Sequence, residues 1–163
     1  MYVEFKLCDT DREIRALRAF DKKVFREADL FTVREWRDYV SYWMVIDNAI
    51  VGCCGFLHDT DFTEDIRQDG KNEPLKGSLY ISTSGILPRF QGKGLGQLLK
   101  SWEVAYARYH SCSRVITNTR KKNLPIISLN RKFGFRVVRT TPRYYSQPTD
   151  ATVVMELRLT NRG

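Results

Sequence analysis

The chain has 163 residues, 42% of them apolar and 28% charged, and a net charge of +8 from 27 Lys and Arg against 19 Asp and Glu. That length and mixture suit one folded domain over 1–163 rather than a disordered polymer. The longest apolar run, Ala49 to Leu57, is too short for a bilayer, and no basic-then-apolar leader opens the sequence, so a cytoplasmic protein off the membrane is expected.

Tyr2 to Leu7 alternates and predicts a first strand. Asp9 or Thr10 can cap a helix carrying Ile14, Leu17, Phe20, Val24 and Phe25 at helical spacing. Thr32 to Tyr42 predicts a second helix, opened by a Thr32-Val-Arg-Glu35 capping box. Trp43 to Ile46 and Ile50 to Leu57 read as strands of a hairpin turned at Asp47-Asn48. Asp59 to Lys76 is polar and acidic, a long surface loop. Leu79 to Leu87 is the next strand, stopped by Pro88.

From Gly94 a helix is expected, with Leu95, Leu98, Leu99, Trp102, Ala105, Tyr106 and Tyr109 on one face. Arg114 to Thr117 makes a short strand. Asn123 caps a helix with Pro125 in its first turn and Gly134 at its end. Phe135 to Val138 and Thr152 to Leu159 close the chain as strands. The order is that of one mixed α/β or α+β domain, without internal repeat or linker.

Cys8, Cys53, Cys54 and Cys112 have neither a metal-ligand spacing nor a disulfide framework, and His58 and His110 have no second ligand near them in sequence. No metal is expected. The basic residues are spread along the chain, Arg120-Lys-Lys122 being the nearest to a cluster. That distribution argues against nucleic acid and suits solubility or a polyanionic small ligand.

Chemistry concentrates in Ile86-Leu-Pro-Arg-Phe-Gln-Gly-Lys-Gly-Leu-Gly96, between a strand and a helix. Glycines at 92, 94 and 96 leave backbone N–H groups uncovered at a helix N-terminus, an arrangement suited to a pyrophosphate, with Lys93 adding a charge at the rim. The nucleotide P-loop string is absent, and the dinucleotide fingerprint has the wrong spacing and no acid at the end of the following strand. A tight strand–helix turn without a ligand stays open on spacing alone.

Gln91-x-x-Gly94-x-Gly96 resembles the Gln/Arg-x-x-Gly-x-Gly/Ala signature of the GCN5-related N-acetyltransferase superfamily. Ile86-Leu-Pro88 resembles the Val-x-Pro before that signature. Asn123-Leu-Pro-Ile-Ile-Ser-Leu-Asn-Arg-Lys-Phe-Gly-Phe135 resembles its Asn-x-x-Ala-x-x-Leu-Tyr-x-x-x-Gly-Phe helix. The hairpin Trp43 to Gly52 is similar to its second and third strands. The resemblance implies a central, mostly antiparallel twisted sheet of about seven strands with four helices. It also implies acetyl-CoA as co-substrate, inserted where the fourth and fifth strands splay apart. On it, Ser84, Gly85 and Ile86 line the pantetheine arm, Gln91, Gly92, Lys93, Gly94, Leu95 and Gly96 hold the pyrophosphate, and Asn123 and Asn130 lie near the cofactor. Gly85 suits a strand bulge that would part the strands.

The implied reaction is attack of a neutral amine on the thioester, with an N–H near Ile86 or Leu87 on the oxyanion, a base for the ammonium and an acid for the thiolate. This sequence departs from the family at both proton-transfer positions. The usual tyrosine acid falls on Asn130. The glutamate base of the ribosomal-protein alanine N-acetyltransferases falls on Asn118. The tail resembles those enzymes, with Arg143-Tyr-Tyr145 before Ala151-Thr-Val-Val-Met155, so Tyr145 or Tyr144 is the candidate acid or a wall of the acceptor site.

The acceptor is expected at the 26–31 and 141–150 loops, where Glu27, Asp29 and Asp150 could attract a cationic amine, with the acidic Asp59 to Glu73 stretch as a cover. A small-molecule or peptide amine fits, and a homodimer is compatible with it. The alternative to an enzyme is a non-catalytic acetyl-CoA binding or sensing module.

Overall fold

A computed structural model describes residues 1–26, 29–60 and 77–159. Its elements run β1 (Val3–Cys8), α1 (Asp11–Val24), α2 (Val33–Asp38), β2 (Val40–Ile46), β3 (Ala49–His58), β4 (Ser78–Ile86), α3 (Leu95–Tyr109), β5 (Arg114–Arg120), α4 (Leu124–Lys132), β6 (Arg136–Tyr145) and β7 (Asp150–Arg158). The sheet has seven strands in the order β1-β2-β3-β4-β5-β7-β6, with β4 and β5 parallel and β1–β2, β2–β3, β5–β7 and β6–β7 antiparallel. This is the expected mixed fold in the expected order. No helix among the described residues is long and apolar enough to cross a membrane.

Two compact units divide the chain: Met1–Leu57 with Ser82–Leu99, and His58–Ile81 with Lys100–Gly163. In the first, Thr10 caps α1 by accepting the Glu13 N–H at 3.2 Å, and acids in the first turn with lysines in the last suit the helix dipole. Leu17 and Phe20 on α1 pack with Trp36 of α2 and with Trp43, Val45 and Cys53 of the sheet. The capping box at Thr32 forms in full, Glu35 N–H to Thr32 Oγ1 at 3.2 Å and Thr32 N–H to Glu35 Oε2 at 2.7 Å.

The second helix is shorter than the sequence reading, which ran it to Tyr42. It stops at Asp38, because Tyr39 to Trp43 is aromatic and β-branched and pairs with β3 from Val40 onward. The β2–β3 turn puts Asp47 and Asn48 at φ 46° and 68°, the left-handed pair a two-residue hairpin demands. Val45 pairs with Ile50 while Met44 pairs with Gly52, so β3 carries one extra residue, Val51, in a bulge.

In the second unit, β4 and β5 pair from Ser78↔Arg114 to Ile81↔Thr117, and β5 pairs with β7 along its whole length, to Arg120↔Thr152. Two buried cations there are paired with carboxylates: Lys100 Nζ lies 2.7 Å from Glu103 Oε2, and Arg114, whose Nε donates to Ser78 Oγ at 2.6 Å, has a guanidinium nitrogen 3.7 Å from Glu156 Oε2. Along α3 the buried residues are Leu95, Leu99, Tyr106 and Ala107 with the Lys100–Glu103 pair, so Leu95, Leu99 and Tyr106 face inward as expected. Tyr109 is 85% exposed and Ala105 is exposed, against the face expected for them. Helix α4 ends in paired bonds from Gly134 N–H to Arg131 O and Phe135 N–H to Asn130 O, the glycine stop the sequence indicated.

Strands β5 and β6 run further than their apolar patterns indicated. β5 continues through Asn118 to Arg120, and β6 continues from Arg136 to Tyr145. β6 is a largely exposed edge strand, so it lacks the alternation that makes a strand visible.

Candidate active site

Within the first unit, the end of β4 and the start of α3 frame the glycine loop. A 3-10 turn at Pro88–Phe90 leaves the strand, and Gln91 closes it by donating its Nε2 to the Ile86 carbonyl at 2.9 Å. The Gln91 side chain therefore fastens the loop to the strand end. Gly92 and Gly94 adopt φ 73° and 79°, with Lys93 between them at an ordinary negative φ. A Cβ added at either glycine would meet nothing within 4 Å, so glycine is required there by backbone conformation and not by crowding. Alternating conformations of this kind turn successive N–H groups toward one side, and the first turn of α3 adds N–H groups without helical partners. Phe90 gathers charge beside them, with Arg89 Cζ 4.8 Å and Lys93 Nζ 5.6 Å from its ring centre. Such a concave, cationic, backbone-lined turn can hold a phosphate chain.

Gly85 departs from expectation. Its added Cβ would come within 2.9 Å of Val24 Cγ1 and 3.2 Å of Phe25 Cε2, so the glycine admits the end of α1 against β4. The bulge in this region is on β3 at Val51, whose carbonyl accepts the Leu87 N–H at 2.9 Å. The Leu87 N–H is thereby already paired with a backbone carbonyl.

Within the second unit, a polar cluster forms on one face of β4, β5 and β7. The Tyr80 hydroxyl donates to Asn118 Oδ1. Asn118 Nδ2 donates to the Tyr145 phenol oxygen at 2.9 Å and to Thr152 Oγ1 at 3.1 Å. Arg120 stacks its guanidinium 4.5 Å from the Tyr145 ring centre and donates to the carbonyls of Pro148 and Ser146 at 2.7 and 3.0 Å. Tyr144 is 39% exposed and meets Tyr145 edge-on at 4.9 Å. Sequence reasoning singled out Tyr145 and Asn118 separately and missed Tyr80, Thr152 and Arg120 as their neighbours. The available signal was period two: Tyr80 pairs with Ile116, two residues before Asn118 on the same face.

Other candidates fall elsewhere. Asn130 is 1% exposed, with Nδ2 against the Met155 sulfur at 3.7 Å, so it packs the interior under α4 and presents no surface to a cofactor. Asn123 occupies the N-cap position of α4, is exposed and makes no side-chain capping bond. Asp150 is 8% exposed and its oxygens accept the N–H groups of Lys122 at 3.0 Å and Ala151 at 2.8 Å. It anchors backbone. Half of the expected 141–150 loop is β6. Glu27 and residues 61–76 of the acidic stretch lie outside the described residues.

All four cysteines are buried and none is in a disulfide, and burial pushes the Cys8 thiol up to about 12 and raises that of Cys112. Neither Cys8 nor Cys112 offers a ready thiolate for a covalent acyl intermediate. His58 Nε2 lies 2.7 Å from the Tyr106 hydroxyl, and its ring is 5.3 Å from that of His110. Among the described residues, no group of three His, Cys, Asp or Glu could hold a metal ion.

Residues 11–135 match the sequence description of the acetyltransferase (GNAT) family. Mycothiol acetyltransferase of Saccharomonospora viridis is 30% identical over 125 residues, 77% of this chain, and this chain spans only 38% of that protein's length. The ribosomal-protein-S18-alanine N-acetyltransferase from Escherichia coli superposes with a TM-score of 0.77 at 12% identity, over 99% of this chain and 97% of its own. Arabidopsis thaliana NAA60 in complex with acetyl-CoA gives 0.75 at 16%, over 97% and 99%. At such identities these two likenesses are of fold.

Proposed function

The chain belongs to the acetyltransferase (GNAT) family, and from that membership we propose that it binds acetyl-CoA and transfers the acetyl group to a primary amine by direct attack on the thioester. One observation carries the proposal: the paired positive φ of Gly92 and Gly94, which builds a backbone cradle at the N-terminus of α3 within the family-matched segment. In this reading the amides from Gln91 to Gly96 hold the pyrophosphate, and Lys93 and Arg89 add charge. Backbone groups of Ser84, Gly85 and Ile86 follow the pantetheine arm, with the Asn123 amide near it.

Attack by the neutral amine forms the N–C bond, collapse of the adduct breaks the C–S bond, the cationic nitrogen of the adduct releases one proton to water, and one proton is given to the thiolate. The Ile86 N–H meets the oxyanion. Tyr145 supplies the thiolate's proton and recovers one from solvent. Asn118 stands where a carboxylate base is expected, and an amide takes no proton, so the amine enters already neutral. The acceptor is a small molecule or a peptide, and the similar proteins include acetyltransferases named for each kind.

The test is release of free CoA from acetyl-CoA with a panel containing a polyamine, an aminoglycoside, lysine and an alanine-initiated peptide. Amine-dependent release that climbs with pH toward the acceptor's own pKa supports the proposal. Acetyl-CoA binding without release for any amine points instead to a non-catalytic binding module.

A further inference from the structure

Tyr145 is reached by a chain of polar contacts that packing alone would not need, and we propose that Tyr80 and Asn118 are positioning residues that orient its phenol for proton transfer. The inference rests on the reading of Tyr145 as the proton donor. An asparagine side chain has an acceptor end and a donor end of nearly the same shape, and a flip exchanges them. The Tyr80 hydroxyl donates to Oδ1 and so fixes the amide with Nδ2 turned to Tyr145 and Thr152. A hydrogen bond donated to a phenol oxygen favours the phenolate that remains when the proton leaves. With the amide flipped, a carbonyl would face that oxygen and hold its proton instead.

The other contacts limit where the ring can go. Arg120 lies over its face and grips the carbonyls of Ser146 and Pro148 in the turn that follows. Thr152, fixed on β7 opposite Arg120, lies 3.4 Å from the phenol oxygen. Tyr80 itself is mostly buried and makes its contribution through Asn118.

The experiment measures CoA release from acetyl-CoA with hydroxylamine, a small neutral nucleophile that needs no acceptor pocket. Wild type is compared with Tyr80→Phe, Asn118→Asp, Tyr145→Phe and the Tyr80→Phe/Tyr145→Phe double variant. Tyr80→Phe is expected to lower kcat about tenfold, the scale of one hydrogen bond, with the KM for acetyl-CoA unchanged. Asn118→Asp keeps the shape but replaces the donor by an acceptor, and it should lose at least as much. The double variant should be no slower than Tyr145→Phe alone, since Tyr80 acts only through that phenol. Multiplying losses in the double variant, or wild-type rates in Tyr80→Phe and Asn118→Asp, would overturn the inference while leaving Tyr145 as the acid. A wild-type rate in Tyr145→Phe would overturn both. Should Tyr80→Phe fold poorly, Asn118→Leu decides instead, because it is nearly isosteric and, unlike aspartate, can neither donate a hydrogen bond to the phenol nor take a proton, so a wild-type rate in it would overturn the inference.

Discussion

Asn118 donates its amide N–H to the phenol oxygen of Tyr145 across 2.9 Å, although the two residues are 27 positions apart. Their strands are not neighbours: β7 lies between β5 and β6, and Thr152 on β7 accepts from the same amide. The position that the family resemblance assigns to a base and the residue that the tail assigns to an acid are thus in one hydrogen-bonded group.

The two adjacent tyrosines should separate cleanly. Tyr145→Phe keeps the ring over which Arg120 stacks and removes only the hydroxyl. A general acid contributes about 10²–10⁴-fold, so turnover should fall by that order with acetyl-CoA affinity retained. Tyr144→Phe should change turnover less than a few-fold, because Tyr144 lies outside the Asn118 contacts. Steady-state rates with the best amine decide it, and the reverse ranking would assign the acid to Tyr144.

Asn130→Tyr would restore the tyrosine that the family resemblance expects, but the burial of Asn130 against Met155 leaves no room for a phenol. Overpacking a core costs about 1–3 kcal/mol. The variant should melt at lower temperature without gaining turnover per folded molecule. Higher turnover at unchanged stability would show that position 130 does face the reacting groups.

What was legible in the sequence was local. The Thr32–Glu35 capping box, the Asp47-Asn48 turn, the Gly134 stop and the Gly92–Gly94 loop each depend on a few consecutive residues, and each formed. What escaped depended on distant strands. The end of β6 carries exposed residues and so shows no buried stripe, which left Thr141 to Tyr145 read as loop. Tyr80 and Thr152 gain their meaning only through β4–β5 and β5–β7 pairing. The anchoring role of Asp150 escaped because a carboxylate beside backbone N–H groups looks, in sequence, the same as one facing solvent.

Asp21 offers a pH test within the first unit. It is fully buried on α1, its Oδ2 accepts the Phe31 N–H at 3.3 Å, and burial pushes its carboxyl from 3.8 up to about 6. Below about pH 4 the carboxyl is protonated in both the folded and unfolded chain; between there and about 6 only the folded chain holds the proton. Its contribution to stability is therefore greatest in acid and is lost as pH rises through about 6, a change on the order of 3 kcal/mol. Asp21→Asn can still accept from Phe31 and should abolish that component. Urea midpoints at several pH values would show it as a difference in slope, and identical slopes would mean that Asp21 titrates as an ordinary carboxyl.

The central claim is that the Gln91–Gly96 loop holds the phosphates of acetyl-CoA, and calorimetric titration of acetyl-CoA into wild type, Gly94→Ala and Gly94→Asp tests it most directly. Gly94 sits at φ 79° with open space where a Cβ would go. Alanine there meets only backbone strain, of about 1–2 kcal/mol, and should weaken binding modestly. Aspartate adds a negative charge beside the N–H groups of α3 and should abolish binding while the protein remains folded. Wild type that does not bind acetyl-CoA, or Gly94→Asp that binds it as tightly as wild type, would contradict the account.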